Sequence, residues 1–285
     1  MLPTFLVIGA AKAGTTSLHT YLAAHPDVFM SDPKELNFFI GEMAWGEGLP
    51  WYERHFDGAE AQGAQAVGES SPLYSAAQWY GGVPERIASV LPDVRLVYLV
   101  RDPIARMRSQ YIHHLELGRE TRPPARALRE NQGYLQSSLY AWQLERFTEH
   151  VPRERILVVP TERLRRERAA TMAEVCTFIG VAPIVDEEVL DAEHHRSEEK
   201  LVRRPTIVAL KRNRAYRAAS RLTPAPARRA YGRLTARSAD PRTVDIDDAL
   251  RRELVKRLRP DVEVLRRDWL GPGFDGWGLL DGAAG

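Results

Sequence analysis

A short segment near the amino terminus carries the residue types and spacing that bind an anion. It runs from Gly9 through Lys12 and Gly14 to Ser17, and it directly follows a continuous apolar run. Glycines let backbone N–H groups converge on a negatively charged ligand, and a helix beginning at Thr15 would add the positive end of its dipole. The segment therefore predicts a phosphate-binding loop between a strand and a helix.

The position of the lysine separates this loop from the common nucleoside triphosphate loop, G-x-x-x-x-G-K-[ST]. Gly9 and Gly14 occupy the two glycine positions, but Thr15 stands where that pattern has its lysine, and Lys12 lies inside the loop. We therefore expect a loop built for phosphate but not for the usual triphosphate and Mg²⁺ arrangement. Strand–turn–helix corners with two glycines also occur without a ligand, so the loop alone leaves both interpretations open.

The elements that must position this loop alternate between strands and helices. Predicted strands span 4–9, 65–68, 95–100 and 155–159, and predicted helices span 15–24, 104–117, 137–150, 169–179 and 245–269. This alternation predicts an α/β chain with a three-layer P-loop-like fold, in which helices flank a central parallel sheet. Ligands of such sheets bind beyond the carboxyl ends of the strands. Gly9, Glu69 and Arg101 all fall at such ends.

The composition is that of a globular protein. The chain has 285 residues, 44% of them hydrophobic and 27% charged, and we expect one domain over residues 1–285. No apolar stretch reaches the roughly 18 residues of a membrane-spanning helix, and the first residues do not resemble a signal peptide. We therefore expect a cytoplasmic protein without stable membrane insertion. The single cysteine, Cys176, lies on an apolar helix face and is expected in the core.

Two motifs resemble the donor site of sulfotransferases that use 3′-phosphoadenosine 5′-phosphosulfate (PAPS). The segment 12–17, KAGTTS, is similar to their K-x-G-T-T loop, which holds the 5′-phosphosulfate. Arg101 at the end of a predicted strand, with Ser109 eight residues later, is similar to the pair that grips the 3′-phosphate. Arginine suits this role because its planar guanidinium binds phosphate through two hydrogen bonds.

Two further motifs resemble the heparan-type glycan sulfotransferases and their bacterial relatives. The segment 33–39, PKELNFF, is similar to K-E-x-H-F-F, and the segment 68–74, GESSPLY, is similar to G-E-x-[ST]-P-x-Y. The resemblance extends over nearly the whole chain except the segment 196–242. Asn37 stands at the histidine position, and Ser70 stands where several of these enzymes have a substrate-side lysine. Both departures argue against a heparan-like acidic acceptor and leave the donor site unchanged.

The resemblance implies a role for each candidate residue. Transfer to an alcohol needs a base, stabilisation of charge on the oxygens around the sulfur, and an in-line geometry. Glu35 is implied as the base, although it could instead be a surface carboxylate paired with Lys34. Lys34 would assist at the sulfuryl group, and Lys12 would act at the leaving phosphate. The implied donor contacts are Lys12, Ala13, Gly14, Thr15, Thr16 and Ser17 at the 5′-phosphate, Arg101 and Ser109 at the 3′-phosphate, and Tyr140 nearby.

The scheme requires no metal ion, and the sequence predicts no metal site. The histidine pairs at 113–114 and 194–195 lack a recognisable spacing with acidic ligands. We expect these histidines to face solvent or substrate instead.

A basic segment, residues 203–237, contains eleven Lys or Arg and no Asp or Glu. Such a segment faces anions. Arg203 and Arg204 at its start could close over the donor phosphates, or the segment could be a solvated helical face. The sequence leaves both alternatives open.

The sequence thus predicts a sulfotransferase that moves a sulfuryl group from PAPS to a hydroxyl of a small molecule, lipid or sugar. One alternative is a P-loop kinase of a small metabolite, against which the position of Lys12 argues. Another is a module that binds anions, nucleic acid or a membrane surface through residues 203–237. The net charge of only +2 and the lack of a nucleic-acid motif argue against a nucleic-acid partner.

Overall fold

The apolar run that ends at Gly9 forms the central strand of the sheet. All five residues of this strand, β1 (Phe5–Gly9), are buried, as expected of a parallel strand that helices cover on both faces. The structure, a computed structural model, describes residues 1–183, 202–203, 236–237, 244 and 246–280.

Four more strands complete this sheet. They are β2 (Val28–Met30), β3 (Ala66–Ser70), β4 (Arg95–Val100) and β5 (Ile156–Pro160). All pairs are parallel, in the order β2-β3-β1-β4-β5. The central parallel sheet with flanking helices confirms the predicted fold class. The carboxyl ends of β3, β1 and β4 are neighbours, so the three predicted ligand-facing positions share one edge of the sheet.

The described helices surround this sheet. They are α1 (Thr15–Ala23), α2 (Leu49–Glu53), α3 (Gly58–Gln62), α4 (Val83–Val90), α5 (Pro103–Glu116), α6 (Pro124–Glu130), α7 (Gln132–Gln136), α8 (Tyr140–Thr148), α9 (Thr161–Arg166), α10 (Arg168–Ile179) and α11 (Asp248–Leu265). Short helical turns lie at Trp45–Glu47, Arg54–Phe56, Arg153–Arg155, Arg266–Leu270 and Gly276–Gly278. A separate antiparallel pair joins β6 (Val202–Arg203) to β7 (Ala236–Arg237).

Helix α5 begins where the sequence predicts, directly after β4. The Asp102 carboxylate accepts hydrogen bonds from the N–H groups of Ile104 and Ala105 at 2.8 and 3.1 Å, and Pro103 occupies the first turn. Both features favour a helix start. The cap fixes the direction in which the chain leaves Arg101, the last residue before it.

The helix predicted over 137–150 begins later, at Tyr140. The hydroxyls of Ser137 and Ser138 bond back to main-chain carbonyls of α7 at 2.8 and 3.2 Å, so these serines close α7 and do not start α8. The amino end of α8 is capped from a distance by Asp261 of α11, which accepts from the N–H groups of residues 141 and 142 at 3.1 and 2.8 Å.

The amphipathic pattern predicted over 245–269 forms α11, followed by a helical turn. The apolar stripe of α11 is buried and consists of Leu250, Leu254, Leu258, Val262 and Leu265. Most of this stripe packs with α5, α6 and α7 into a second hydrophobic core beside the one around the sheet. The expected packing of this helix on the domain is therefore confirmed.

Several short elements were not predicted. Strand β2 has three residues, and helices α2 and α3 have five each, which is too short for a hydrophobic period to be visible. Cys176 is fully buried on α10, so the core interpretation is confirmed. Within the described residues, no helix is long and apolar enough to cross a membrane.

Candidate active site

The loop between β1 and α1 presents an open helix end. Lys12 and Gly14 have φ angles of 72° and 91°, in the left-handed region, which turns the chain sharply into α1. Gly14 is the residue that precedes the helix, and no side chain caps it. A Cβ at Gly14 would lie 3.2 Å from Thr161 Cγ2, so this side of the loop is closely packed. The first N–H groups of α1 therefore form the geometry that binds phosphate.

Two arginines that follow β4 hold this loop through its carbonyl groups. Arg101 Nη1 donates to the carbonyl of Lys12 at 3.2 Å, and Arg106 Nη1 donates to the carbonyl of Ala11 at 3.3 Å. These bonds turn the loop carbonyls toward protein cations. They also place two positive charges beside an anion site.

Arg106 was not among the predicted site residues. It is fully buried and also donates to the Tyr134 carbonyl and to Ser138 Oγ, both at 2.6 Å. Burial lowers the pKa of Arg106, but an arginine remains charged in such surroundings. The hydrogen-bond partners described for Arg106 are carbonyls and a hydroxyl, which carry no negative charge. An anion bound at the loop would supply a negative charge near this buried cation.

Tyr140 supports the main chain of Arg101. Its side chain is fully buried, and its hydroxyl donates to the Arg101 carbonyl at 2.8 Å. The contact that the structure describes for this hydroxyl is therefore with the main chain of Arg101, and the expected contact of Tyr140 with the donor stays a prediction. Burial first, and then Arg165, lower the pKa of Arg101.

A cavity of about 710 Å³ opens beside Arg101, at the carboxyl ends of β4 and β5. It is lined by basic, acidic, aromatic and small residues, namely Arg101, Asp102, Ala105, Pro160, Glu162, Arg163, Arg165, Arg166, Glu167, Leu270, Gly273, Phe274, Asp275 and Trp277. Two of its acids are already engaged, since Asp102 caps α5 and Glu162 accepts from the Asp102 N–H at 3.1 Å. Phe274 and Trp277 pack edge to face at 4.6 Å.

The other predicted donor residues lie around this loop and cavity. Ala13 and Thr15 are buried, Ser17 is half-buried and Thr16 is exposed. Ser109 is half-buried on α5, one helical turn after Ala105 of the cavity wall, but it does not itself line the cavity as far as the described residues show.

Arg203 contributes its main chain to β6, and its side chain lies outside what the structure describes. Arg204 and most of the basic segment also lie outside the described residues.

The predicted base lies in a loop fixed by the end of β3. Glu35 and Asn37 have φ angles of 68° and 53°, and the Glu35 N–H donates to the Ser70 carbonyl at 3.0 Å. Asn37 Nδ2 donates to the Glu35 carbonyl at 2.8 Å, and the Asn37 N–H donates to Ser71 Oγ at 2.9 Å. The residue at the histidine position of the glycan enzymes therefore holds the loop of Glu35.

The Glu35 side chain is paired and yet accessible. Lys34 Nζ lies 2.7 Å from Glu35 Oε1, so the alternative of a carboxylate paired with Lys34 is present in the structure. Nearly half of the Glu35 side chain, 49%, is exposed, whereas that of Lys34 is 16% exposed. An acceptor can therefore reach the Glu35 carboxylate. The ion pair places the Lys34 ammonium group directly beside that carboxylate.

Behind this loop lies a buried carboxylate, Glu69, at the end of β3. It is fully buried and accepts hydrogen bonds from Tyr52 at 2.5 Å, from Tyr74 at 2.8 Å and from Ser71. Burial raises the pKa of Glu69, while the three hydroxyl donors oppose that shift. Phe38 stacks on Tyr52 at 4.3 Å. Glu69 therefore anchors the aromatic side chains that pack beneath the Glu35 loop.

Sequence reasoning also missed His19, which lies on α1 and faces the Glu35 loop. Its Nδ1 is 3.1 Å from Ser70 Oγ. Burial first, and then Lys34, lower the pKa of His19 to about 4, against the opposite effects of Asp32 and Glu35. The helical spacing from Thr15 to His19 was the available signal, since residues four apart share a helix face.

The histidines considered for a metal have other neighbours. His113 Nδ1 lies 3.6 Å from Glu116, and His114 Nδ1 lies 3.0 Å from the Tyr134 hydroxyl. In the part of the chain that the structure describes, no three His, Cys, Asp or Glu side chains are grouped to hold a metal ion. The pair at 194–195 lies outside that part.

A parallel sheet whose central strand leads through a tight turn into a helix defines the class of proteins with a P-loop-like fold. Within this class, the profile of the family described as "Sulfotransferase domain" matches residues 2–221. The chain also resembles a sulfotransferase of Alicyclobacillus acidocaldarius, whose crystal structure superposes with a TM-score of 0.66 and 25% identity. That superposition covers 98% of this chain and 99% of the other.

Two relatives by sequence are heparan sulfate enzymes. Bifunctional heparan sulfate N-deacetylase/N-sulfotransferase 2 of Bos taurus is 28% identical over 205 residues, which are 65% of this chain and 23% of that protein. Heparan sulfate glucosamine 3-O-sulfotransferase 5 of Homo sapiens is 29% identical over 199 residues, which are 65% of this chain and 56% of that protein. The chain thus spans about a quarter of the length of the N-deacetylase/N-sulfotransferases it matches.

The chain belongs to the sulfotransferase domain family. The resemblance stated from the sequence motifs is confirmed.

Proposed function

We propose that the protein transfers a sulfuryl group from PAPS to a hydroxyl group of a small molecule, lipid or sugar. The observation that carries the proposal is the uncapped amino end of α1, which follows the left-handed turn at Lys12 and Gly14 and is backed by Arg101 and Arg106. PAPS, when bound, supplies the activated sulfuryl group and leaves as adenosine 3′,5′-bisphosphate (PAP).

The residues present fit such a donor. Main-chain N–H groups of 14–17 would hold the 5′-phosphate, and Lys12 would neutralise the charge that develops on it. Arg101 and Ser109 would hold the 3′-phosphate. The cavity beside Arg101, with Phe274 and Trp277 in its wall, has aromatic faces for a purine.

Glu35 is the proposed base. The new bond joins the acceptor oxygen to sulfur, the bond from sulfur to the 5′-phosphate oxygen breaks, and the acceptor proton passes to Glu35. The exposure of the Glu35 carboxylate and the bonds that fix its main chain support this role. Lys34, at 2.7 Å from Glu35, would add a positive charge near the sulfuryl oxygens.

The kinase alternative finds less support. A nucleoside triphosphate site needs, besides a loop hydroxyl, an available carboxylate for Mg²⁺ near the strand ends. Asp102 caps α5, and Glu69 is fully buried among three hydroxyls. Together with Thr15 at the usual lysine position, these contacts favour transfer of a sulfuryl group.

The acceptor is better described as neutral than as acidic. Ser70 and Asn37 are uncharged, and both bond to protein groups around Glu35. In the segment that follows the Glu35 loop, Met43 and Leu49 are 43% and 37% exposed. An alcohol with an apolar part, such as a small hydrophobic molecule or a lipid, suits these surroundings.

The proposal is tested by ligand-induced thermal stabilisation, followed by mass-shift screening of alcohols with PAPS. We expect PAP to raise the melting temperature of the wild type and ATP with Mg²⁺ to have little effect. Lys12→Ala and Arg101→Ala should each bind PAP about 10-fold or more weakly and lose turnover. Arg257→Ala is the matched control, because Arg257 pairs with Gln132 at 2.8 Å on α7. Protection by ATP with Mg²⁺ but not by PAP would favour the kinase.

A further inference from the structure

Helix α1 connects the two halves of the candidate site. Its first turn carries the proposed phosphate-binding N–H groups, and His19 lies in the next turn. His19 Nδ1 is 3.1 Å from the hydroxyl of Ser70, which is fully buried at the end of β3. A residue of the donor helix thus reaches the strand end that carries the Glu35 loop.

Ser70 contacts His19 through its side chain and Glu35 through its main chain. Its hydroxyl faces His19, while its carbonyl accepts the N–H of Glu35 at 3.0 Å. Glu35 has a φ of 68°, a conformation that a residue with a side chain adopts only when its surroundings enforce it. The position of Ser70 therefore bears directly on the direction in which the Glu35 carboxylate points.

The charged groups that face His19 are Asp32, Lys34 and Glu35, all from the loop packed against α1. Because burial and Lys34 lower the pKa of His19 to about 4, the ring is neutral near pH 7. A neutral ring does not compete with Lys34 for the Glu35 carboxylate. It can still exchange a hydrogen bond with Ser70, since each ring nitrogen of a neutral imidazole donates or accepts.

We propose that His19 is a positioning residue that fixes Glu35 through Ser70 and so aligns the base with the donor bound at the other end of the same helix. The proposal rests on the proposed function of Glu35 as base. His19 is not expected to exchange a proton with the acceptor itself.

The test is a double-mutant cycle on the purified 285-residue protein with PAPS and an acceptor found by screening. His19→Leu removes the hydrogen bond at similar volume, and Ser70→Ala removes it from the other side. His19→Asn keeps a polar group close to the position of Nδ1. The matched control is His25→Leu, because His25 is a buried histidine that bonds to the Ala182 carbonyl and the Asp27 N–H, away from the Glu35 loop.

We expect His19→Leu and Ser70→Ala each to lower kcat about 10-fold, because a displaced base loses alignment, with PAP affinity and the KM for PAPS within twofold of the wild type. The double variant should lose no more than either single variant, since both remove the same bond. His19→Asn should recover most of kcat. His25→Leu should lower the melting temperature without this selective loss of kcat.

Three results would overturn the proposal: normal kcat in His19→Leu, multiplying losses in the double variant, or an equal weakening of PAP binding. If His19→Leu does not fold, Ser70→Ala and His19→Asn still test the proposal, because normal kcat in Ser70→Ala contradicts it. Glu35→Gln separates this failure from that of the proposed function. Normal transfer by Glu35→Gln would contradict the proposal that Glu35 is the base. Impaired transfer by Glu35→Gln together with normal transfer by His19→Leu would contradict only the proposed role of His19.

Discussion

The proposed donor side and base side of the candidate site use different kinds of chemical groups. The donor side uses main-chain N–H groups at the start of α1 and arginines bonded to main-chain carbonyls, among them the fully buried Arg106. The base side has one half-exposed carboxylate, Glu35, whose main chain is held by Ser70 and Asn37.

This difference follows from what each side must bind. The donor is an anion of constant shape, so fixed dipoles and buried cations can be prepared for it before it arrives. The base must stay accessible to an acceptor, so only its backbone can be fixed tightly. Changes to the groups that only support the donor loop should therefore act mainly on affinity, and changes on the base side should act mainly on rate. Lys12 and Arg101, which are proposed to contact the donor itself, should act on both.

Among changes that leave the proposed donor contacts intact, the largest effect on the rate is expected for Glu35→Gln. We expect kcat to fall by roughly 10²-fold or more, the usual scale for a lost general base. PAP affinity should stay within twofold, because Glu35 contributes no bond to the phosphate loop among its described contacts. Steady-state kinetics and PAP titration measure the two quantities. Near-normal kcat, or a parallel loss of PAP affinity, would break the division between the two sides.

A smaller effect, on PAP affinity more than on rate, is expected for Arg106→Lys. Lysine keeps the charge but cannot reach Ala11, Tyr134 and Ser138 together, so the loop loses support. We expect PAP affinity to fall about 10-fold, with a smaller change in kcat at saturating PAPS.

The matched control for Arg106→Lys is Arg86→Lys. Arg86 also donates to two main-chain carbonyls, those of Phe39 and Gly81 at 2.8 and 2.6 Å, but it lies on the base side. This control should leave PAP affinity unchanged. Equal weakening in both variants would show that the loss reflects general stability and not the phosphate loop.

The smallest effect on activity is expected for Asp261→Asn, which tests the scaffold behind the donor side. Burial raises the pKa of Asp261 from 3.8 to about 6, although its hydrogen bonds to the start of α8 oppose this shift. The folded state therefore holds this proton over a pH range in which the unfolded chain has released it. Because the folded state binds more protons there, the free energy of unfolding of the wild type should fall as the pH rises from about 4 to about 6.

This decrease in the free energy of unfolding is on the order of 2–3 kcal/mol and should be missing in Asp261→Asn. Denaturant titrations of both proteins at pH 4, 5, 6 and 7 measure it. Parallel pH profiles of the two proteins would contradict the assignment.

Much of the scaffold was predictable because its signals are local. The run 95–100 forms β4, the Asp102-Pro103 pair starts α5, and the apolar stripe of α11 is readable at helical spacing. Short elements such as β2 were not predictable, because three residues show no period. The start of α8 was misplaced for a different reason, since its cap, Asp261, lies 120 residues away from Ala141.

The candidate site divides in the same way. The loop from Lys12 to Ser17, Glu35 and Arg101 were predicted from motifs, because each motif is a short run of residue types whose chemistry can be recognised along the chain. Arg106, His19 and the supporting role of Tyr140 were not found. Arg106 meets Ala11 across 95 residues and His19 meets Ser70 across 51, and no local pattern marks such pairs.

By itself, then, the sequence determined the parallel α/β fold and membership of the sulfotransferase family, and it predicted a phosphate loop with a displaced lysine. Only the tertiary structure decided which side chains hold that loop and the Glu35 carboxylate in place. The physical reason is that strands and loops are specified by neighbours along the chain. The bonds that orient functional groups instead join the ends of β3, β1 and β4, which become neighbours only when the sheet has formed.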